Sequence, residues 1–252
     1  MNASPVLAFL IPLRPERDPM VWNSTCHLLR QTLNSLIAQS NGNWIACVAG
    51  HECPEFLADT NDGRISFHKV DFDQFLHEKR PVIDKSWKVA YASMCAANLQ
   101  PKYHMVLDAD DLLHRDLVSL VAGLPPSPAV VFKFGWEFDI GFRRALPRNN
   151  LASLCGSTTA YSREHFPMPM GRGWDEWNKV PAIKTGHNAV IADLDQRGLV
   201  PFLPQQRLVA YVTGHVSSLG RRHLKRPWRR RLAFWLLGKP LSHELKRDLQ
   251  VL

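Results

Sequence analysis

Three carboxylates fall within four residues, at Asp108, Asp110 and Asp111, directly after the apolar run His104-Met105-Val106-Leu107. Like charges this close repel one another. A divalent cation is the simplest group to hold them together, with oxygen ligands at ~2.0–2.6 Å and its free positions filled by phosphate oxygens or water. The pattern points to a metal–diphosphate site. A plainer role for Asp110 or Asp111 is to cap a helix starting just after them, but capping takes one carboxylate. The additional acid and the place at a strand's carboxyl end favour the metal.

Such a cluster needs rigid elements to present it, and the first half of the chain supplies an alternating pattern. Residues 6–11 are a continuous apolar run of strand length stopped by Pro12 and Pro15. Leu28, Leu29, Leu33, Leu36 and Ile37 recur at helical spacing between Trp22 and Ala38, and Asn41-Gly42-Asn43 precedes a second apolar strand, Trp44 to Val48. A short helix over 54–59, a strand over 64–70, a helix over 84–98 and a strand over 103–107 continue the series. Strands alternating with helices predict an α/β fold with a mostly parallel central sheet and helices on both faces. Ligands of such sheets bind beyond the carboxyl ends of the strands, which selects the loops after Ile11, Val48 and Leu107. Pro125-Pro126-Ser127-Pro128 marks a break, and beyond it the pattern predicts a strand over 129–134, a helix over 187–196 and short strands over 200–203 and 208–212.

Composition bounds the class. At 252 residues, 45% hydrophobic and 21% charged, the chain can build a core without disulfides or a structural metal. Its five cysteines form no C-x-x-C pair and read as buried free thiols. The formal charge of +8 is local: residues 221–231 hold seven basic residues and no acid, leaving 24 basic and 23 acidic residues elsewhere. A nucleic-acid partner is therefore not expected. Neither a signal peptide nor a membrane-spanning segment is expected, since no run approaches ~20 apolar residues.

With these residues in view, the chain resembles family 2 glycosyltransferases of the GT-A fold, in order from about Val6 to His215. Residues 9–14 (Phe-Leu-Ile-Pro-Leu-Arg) resemble that family's first strand and nucleotide loop, and residues 32–40 its first helix. Asp108-Ala109-Asp110 matches its D-x-D motif, Cys155-Gly156-Ser157 is similar to an acceptor-side segment, and Gly214-His215 resembles a late metal-binding histidine. The resemblance implies a Rossmann-like nucleotide half and an acceptor half, a nucleotide-diphosphate sugar as donor, and Mn²⁺ or Mg²⁺ as cofactor. It implies Pro12, Arg14, Glu52 and Asp108 as nucleotide-sugar-binding residues, to which the charge of the diphosphate adds Lys88, and Asp110 and His215 as metal ligands. Arg14, Lys85 and Lys88 are the candidate cations for the leaving diphosphate, the two lysines sharing a helix face.

The chain departs from the family at two places. After the second strand only Glu52 stands where an acidic residue contacts the base. The Glu-Asp pair that opens a late helix and supplies the catalytic carboxylate is replaced by Gly186-His187-Asn188. An acceptor hydroxyl must still lose its proton, which leaves Asp175 or Glu176, in an aromatic, glycine-flanked loop, or His187 as the base. Packing for the neighbouring tryptophans and a helix start for His187 are the alternatives.

The expected domain covers residues 1–220, with 1–124 as nucleotide half and 125–220 as acceptor half, followed by a basic and aromatic helical tail over 221–252. Arginines and lysines beside Trp228, Phe234, Trp235, Leu236 and Leu237 have the composition of an interfacial membrane segment, and a packed terminal helix is the alternative. The expected activity is a metal-dependent, inverting, hexosyltransferase-like glycosyltransferase. It would act on a glycan or lipid-linked acceptor in polysaccharide biosynthesis, in the cytoplasm or peripherally on the inner face of an anionic membrane. A haloacid dehalogenase-type phosphohydrolase, whose first motif is also a strand followed by D-x-D, and an inactive GT-A-like binding module are the competing readings.

Overall fold

Strand β1 (Leu7–Pro12) is buried through Ile11 because helices cover both of its faces. The computed structural model describes residues 4–72, 80–166, 169, 171, 174–177, 189–215 and 227–251. Leu7, Phe9 and Ile11 join one core with Leu29, Leu33 and Leu36 of α1 (Pro19–Ile37) and Leu117, Val118 and Val121 of α4 (Leu117–Gly123). The alternate residues Ala8 and Leu10 join a second core with Val89, Ala90 and Ala92 of α3 (Pro81–Ala96) and with Val190 and Leu194 of α6 (Val190–Gln196). A strand sandwiched in this way has to be apolar at every position.

β1 pairs in parallel with β2 (Trp44–Gly50) and β4 (Tyr103–Val106), and β2 with β3 (Ile65–Lys69). The sheet runs β3-β2-β1-β4-β9-β6, with β9 (Thr159–Ser162) and β6 (Ala129–Val131) added antiparallel. The mostly parallel central sheet with helices on both faces is the expected architecture. Short helices α2 (Glu55–Ala58) and α5 (Trp174–Trp177) complete this half.

Local chemistry moves several boundaries. Helix α1 starts at Pro19, earlier than expected, because Asp18 accepts hydrogen bonds from the Met20 and Val21 amides at 2.9 and 3.1 Å and proline suits the first helical position. Pro81 opens α3 likewise. The expected strand over 200–203 reduces to a single bridge between Val130 and Phe202, since Pro201 and Pro204 lack the amides a ladder needs. Of the expected helix over 187–196, residues 187 and 188 lie outside the described residues.

A second sheet, absent from the expectation, runs β11-β8-β7-β10-β5. It contains the hairpin β7 (Gly135–Asp139) and β8 (Arg144–Arg148), with β10 (Val209–Thr213), β5 (Leu112–Leu113) and β11 (Lys239–Pro240). Residues 239–251 are built into it: β11 pairs with β8, and Leu249 of α8 (His243–Leu249) is buried with Leu28, Leu112, Phe138 and Val212. Between them and β10 runs α7 (Pro227–Leu237). No helix among the described residues is long and apolar enough to cross a membrane.

Candidate active site at the end of β4

The acidic cluster forms the turn that carries the chain from the first sheet to the second. Leu107 donates its amide to the Leu10 carbonyl within β1, Asp111 closes the turn onto the Asp108 carbonyl at 3.1 Å, and β5 follows at once. None of the three aspartates caps a helix, since the next one begins at Leu117. One donor oxygen from each of the three lies within 4.8 Å of the others.

Asp111 is fully buried and committed to the scaffold. Its Oδ2 accepts from the Ser157 hydroxyl at 2.6 Å and the Cys155 thiol at 3.1 Å, and its Oδ1 accepts from the Val212 amide of β10 at 3.1 Å. Ser157 Oγ in turn accepts the Asp108 amide at 2.8 Å. One buried carboxyl thereby ties together the acidic turn, the 155–157 loop and the second sheet. Burial, then the charges of Asp110 and Asp108, push its pKa well above the carboxylate range, with the Ser157 and Cys155 hydrogen bonds opposing. Burial and the same acidic neighbours keep Cys155 a neutral thiol.

The other two aspartates face outward to different partners. Asp108 Oδ1 pairs with Lys85 Nζ at 2.5 Å, and Asp110 Oδ2 lies 3.1 Å from Nε2 of the buried His215. Burial works against the Lys85 charge, but the carboxylates of Asp108, Asp110 and Asp111 outweigh it and its pKa stands above the ordinary lysine value. His215 reaches Asp110 through Gly214, whose φ is +87° and where a Cβ would lie 2.6 Å from Asp139 Oδ1. Only glycine fits that approach. Carboxylate oxygens with one imidazole nitrogen form a donor set suited to Mn²⁺ or Mg²⁺, so the residues present fit the cation that the resemblance implies.

Of the other expected donor-side residues, Pro12 ends β1 and Arg14 lies partly exposed on the following loop. Glu52 accepts the Glu16 amide at 2.9 Å and lines a cavity of about 250 Å³ with His51, Lys69, Asp71 and Phe72. Lys88 is buried instead: its ammonium donates to the Leu13 carbonyl at 2.7 Å and to Asp84 at 3.0 Å, fastening α3 to the loop after β1. Lys85, three residues earlier, is the cation at the acidic turn. Asp175 is exposed and Glu176 half-buried on α5, which packs beside α3. His187 lies outside the described residues. The scaffold roles of Asp111 and Ser157 had no sequence signal, because they depend on a loop brought in from 44 to 46 residues away.

His215 also lines a second cavity of about 730 Å³, shared with His27 and Leu28 of α1, Arg143 of the β7–β8 turn and Leu241 and Lys246 near the C-terminal end.

No protein-family model and no curated protein matches the chain in sequence. Solved structures do match its fold. Among them, TarS of S. aureus superimposes with a TM-score of 0.52 at 10% identity, over 82% of this chain and 36% of that one. The chain thus spans about a third of TarS, and the likeness carries the fold, a GT-A-like α/β arrangement.

Proposed function

We propose that the chain is a metal-dependent glycosyltransferase that moves a sugar from a nucleotide-diphosphate donor to a glycan or lipid-linked acceptor with inversion. Polysaccharide biosynthesis at an anionic membrane surface, engaged through residues 221–237, belongs to the same reading. One observation carries it: beyond β4, Asp110 meets His215 while Asp108 holds Lys85, so cation ligands and a carboxylate-paired ammonium sit side by side. Asp110 and His215 would hold a divalent cation, which would supply positive charge for the departing diphosphate. Lys85, pre-oriented by Asp108, adds a second positive group, and the cavity beside Glu52 and Phe72 is of a size to seat a base. Asp175 or Glu176 accepts the acceptor's proton as its oxygen bonds to the anomeric carbon, with His187 as the remaining candidate. The GT-A-like fold favours this reading over the phosphohydrolase.

Calorimetry with nucleoside diphosphates, with and without Mn²⁺, tests the proposal. Binding should require the metal and vanish in Asp110→Ala, and Lys85→Ala should weaken it by ~10-fold or more. Unchanged Mn²⁺-dependent binding in Asp110→Ala would remove the metal site. Donor hydrolysis in the presence of Mn²⁺ separates an active enzyme from a binding module.

A further inference from the structure

We infer that α7 is an in-plane membrane anchor that lies along an anionic lipid surface, with Trp228, Leu232, Trp235 and Leu236 entering the boundary between headgroups and acyl chains. These four side chains are 59, 45, 70 and 59% exposed, an unusual concentration of large apolar groups on one short helix. At about 100° per residue they fall within an arc of about 100°, forming a continuous apolar row.

The helix is nevertheless held firmly on the domain. Phe234 is fully buried and stacks on Phe142 with ring centroids 5.7 Å apart, and Arg144 donates two hydrogen bonds, at 3.1 and 2.7 Å, to the carbonyl of Gly238 just beyond the helix. In register Phe234 lies away from the exposed row, so the residue that docks the helix and the row that faces outward are distinct. The domain thus presents the row in a fixed orientation.

Charge selects the occupant. The helix contains Arg229, Arg230 and Arg231 and no acidic residue. A second copy docked symmetrically through this row would bring two basic helices, neither with an acidic residue, together. An anionic lipid surface meets both features, with phosphates for the basic helix and a boundary region for tryptophan and leucine. The inference rests on the membrane part of the proposed function, which it deepens, and does not need the acidic turn.

The test uses the intact chain with vesicles of phosphatidylcholine containing phosphatidylglycerol, and pure phosphatidylcholine as reference. The chain should co-sediment with the anionic vesicles at low salt, release as salt rises, and show a blue shift of tryptophan emission when bound. Leu232→Glu combined with Trp235→Glu should reduce the bound fraction by ~10-fold or more with the thermal midpoint unchanged, since both side chains face solvent. Asp110→Ala should bind vesicles like the parent, which keeps this outcome separate from the fate of the transferase reading. Absence of co-sedimentation at low salt overturns the inference, as does full vesicle binding by the double variant. A dimer of the intact chain that the double variant dissociates would assign the row to self-association instead.

Discussion

Replacing Asp111 and replacing Asp110 should fail in different ways, because one is buried scaffold and the other an outward ligand. Asp111→Ala leaves the Ser157 hydroxyl and the Val212 amide without their acceptor, and each buried donor stranded in this way costs about 1–3 kcal/mol. Removing a carboxyl that burial already disfavours offsets part of that loss. A net destabilisation of about 2–4 kcal/mol lowers the melting temperature by roughly 5–15 °C in a chain of this size. Asp110→Ala should keep its melting temperature and lose Mn²⁺-dependent nucleotide binding. Thermal melts paired with calorimetry read both, and equal melting temperatures for the two variants would contradict the division. The proposed base has its own signature: Asp175→Asn or Glu176→Gln, whichever removes it, should cost ~10²-fold in turnover with donor affinity kept. If both keep full turnover, the assignment passes to His187.

At the scale of elements, β4 carries a titratable group whose effect has a definite sign. His104 is buried, stacks on Phe166 at 4.7 Å, and has its pKa lowered to about 4 by burial, with the Arg163 charge adding. The unfolded chain binds this proton below ~6.5 and the folded chain does not until about 4, so acid favours unfolding in that window. Stability from this group is complete above ~6.5, and about 2–3 kcal/mol of it is gone by about pH 4.5. Urea unfolding of His104→Phe should show a pH dependence flatter by that amount, and an unchanged slope would place the acid sensitivity elsewhere. The parallel strands of the first sheet were legible because β1 is sandwiched and its apolar run admits one reading, whereas β9 carried no strand signal. The second sheet was not legible: β7 buries Glu137 and Asp139, and Arg148 pairs with Glu137 across the hairpin, so polar residues occupy inward positions and erase the period-two pattern. Site residues show the same contrast. Asp108 and Asp110 sit beside each other in sequence, whereas Lys85 and Lys88 share a helix and only packing decides which one faces the turn and which is buried.

At the scale of the whole molecule, the chain's last residues support the chemistry at its middle. Leu249 shares a buried cluster with Leu112, which directly follows Asp111, and with Val212, whose amide holds that carboxyl. The Arg115 amide donates to the Asp248 carbonyl at 2.9 Å, and Leu241 and Lys246 line the cavity that includes His215. Deleting residues 242–252 should therefore act in two places at once. Exposing Leu28, Leu112, Phe138 and Val212 and losing Leu249 should cost at least roughly 3 kcal/mol, the scale of one large buried side chain. Loosening β5 and β10 should also spread Asp110 from His215 and weaken Mn²⁺-dependent nucleotide binding. A lower melting temperature together with weaker binding is the expected result. A truncated chain that melts earlier but binds nucleotide and metal as before would show that the turn is held by Asp111 and the 155–157 loop without the C-terminal segment.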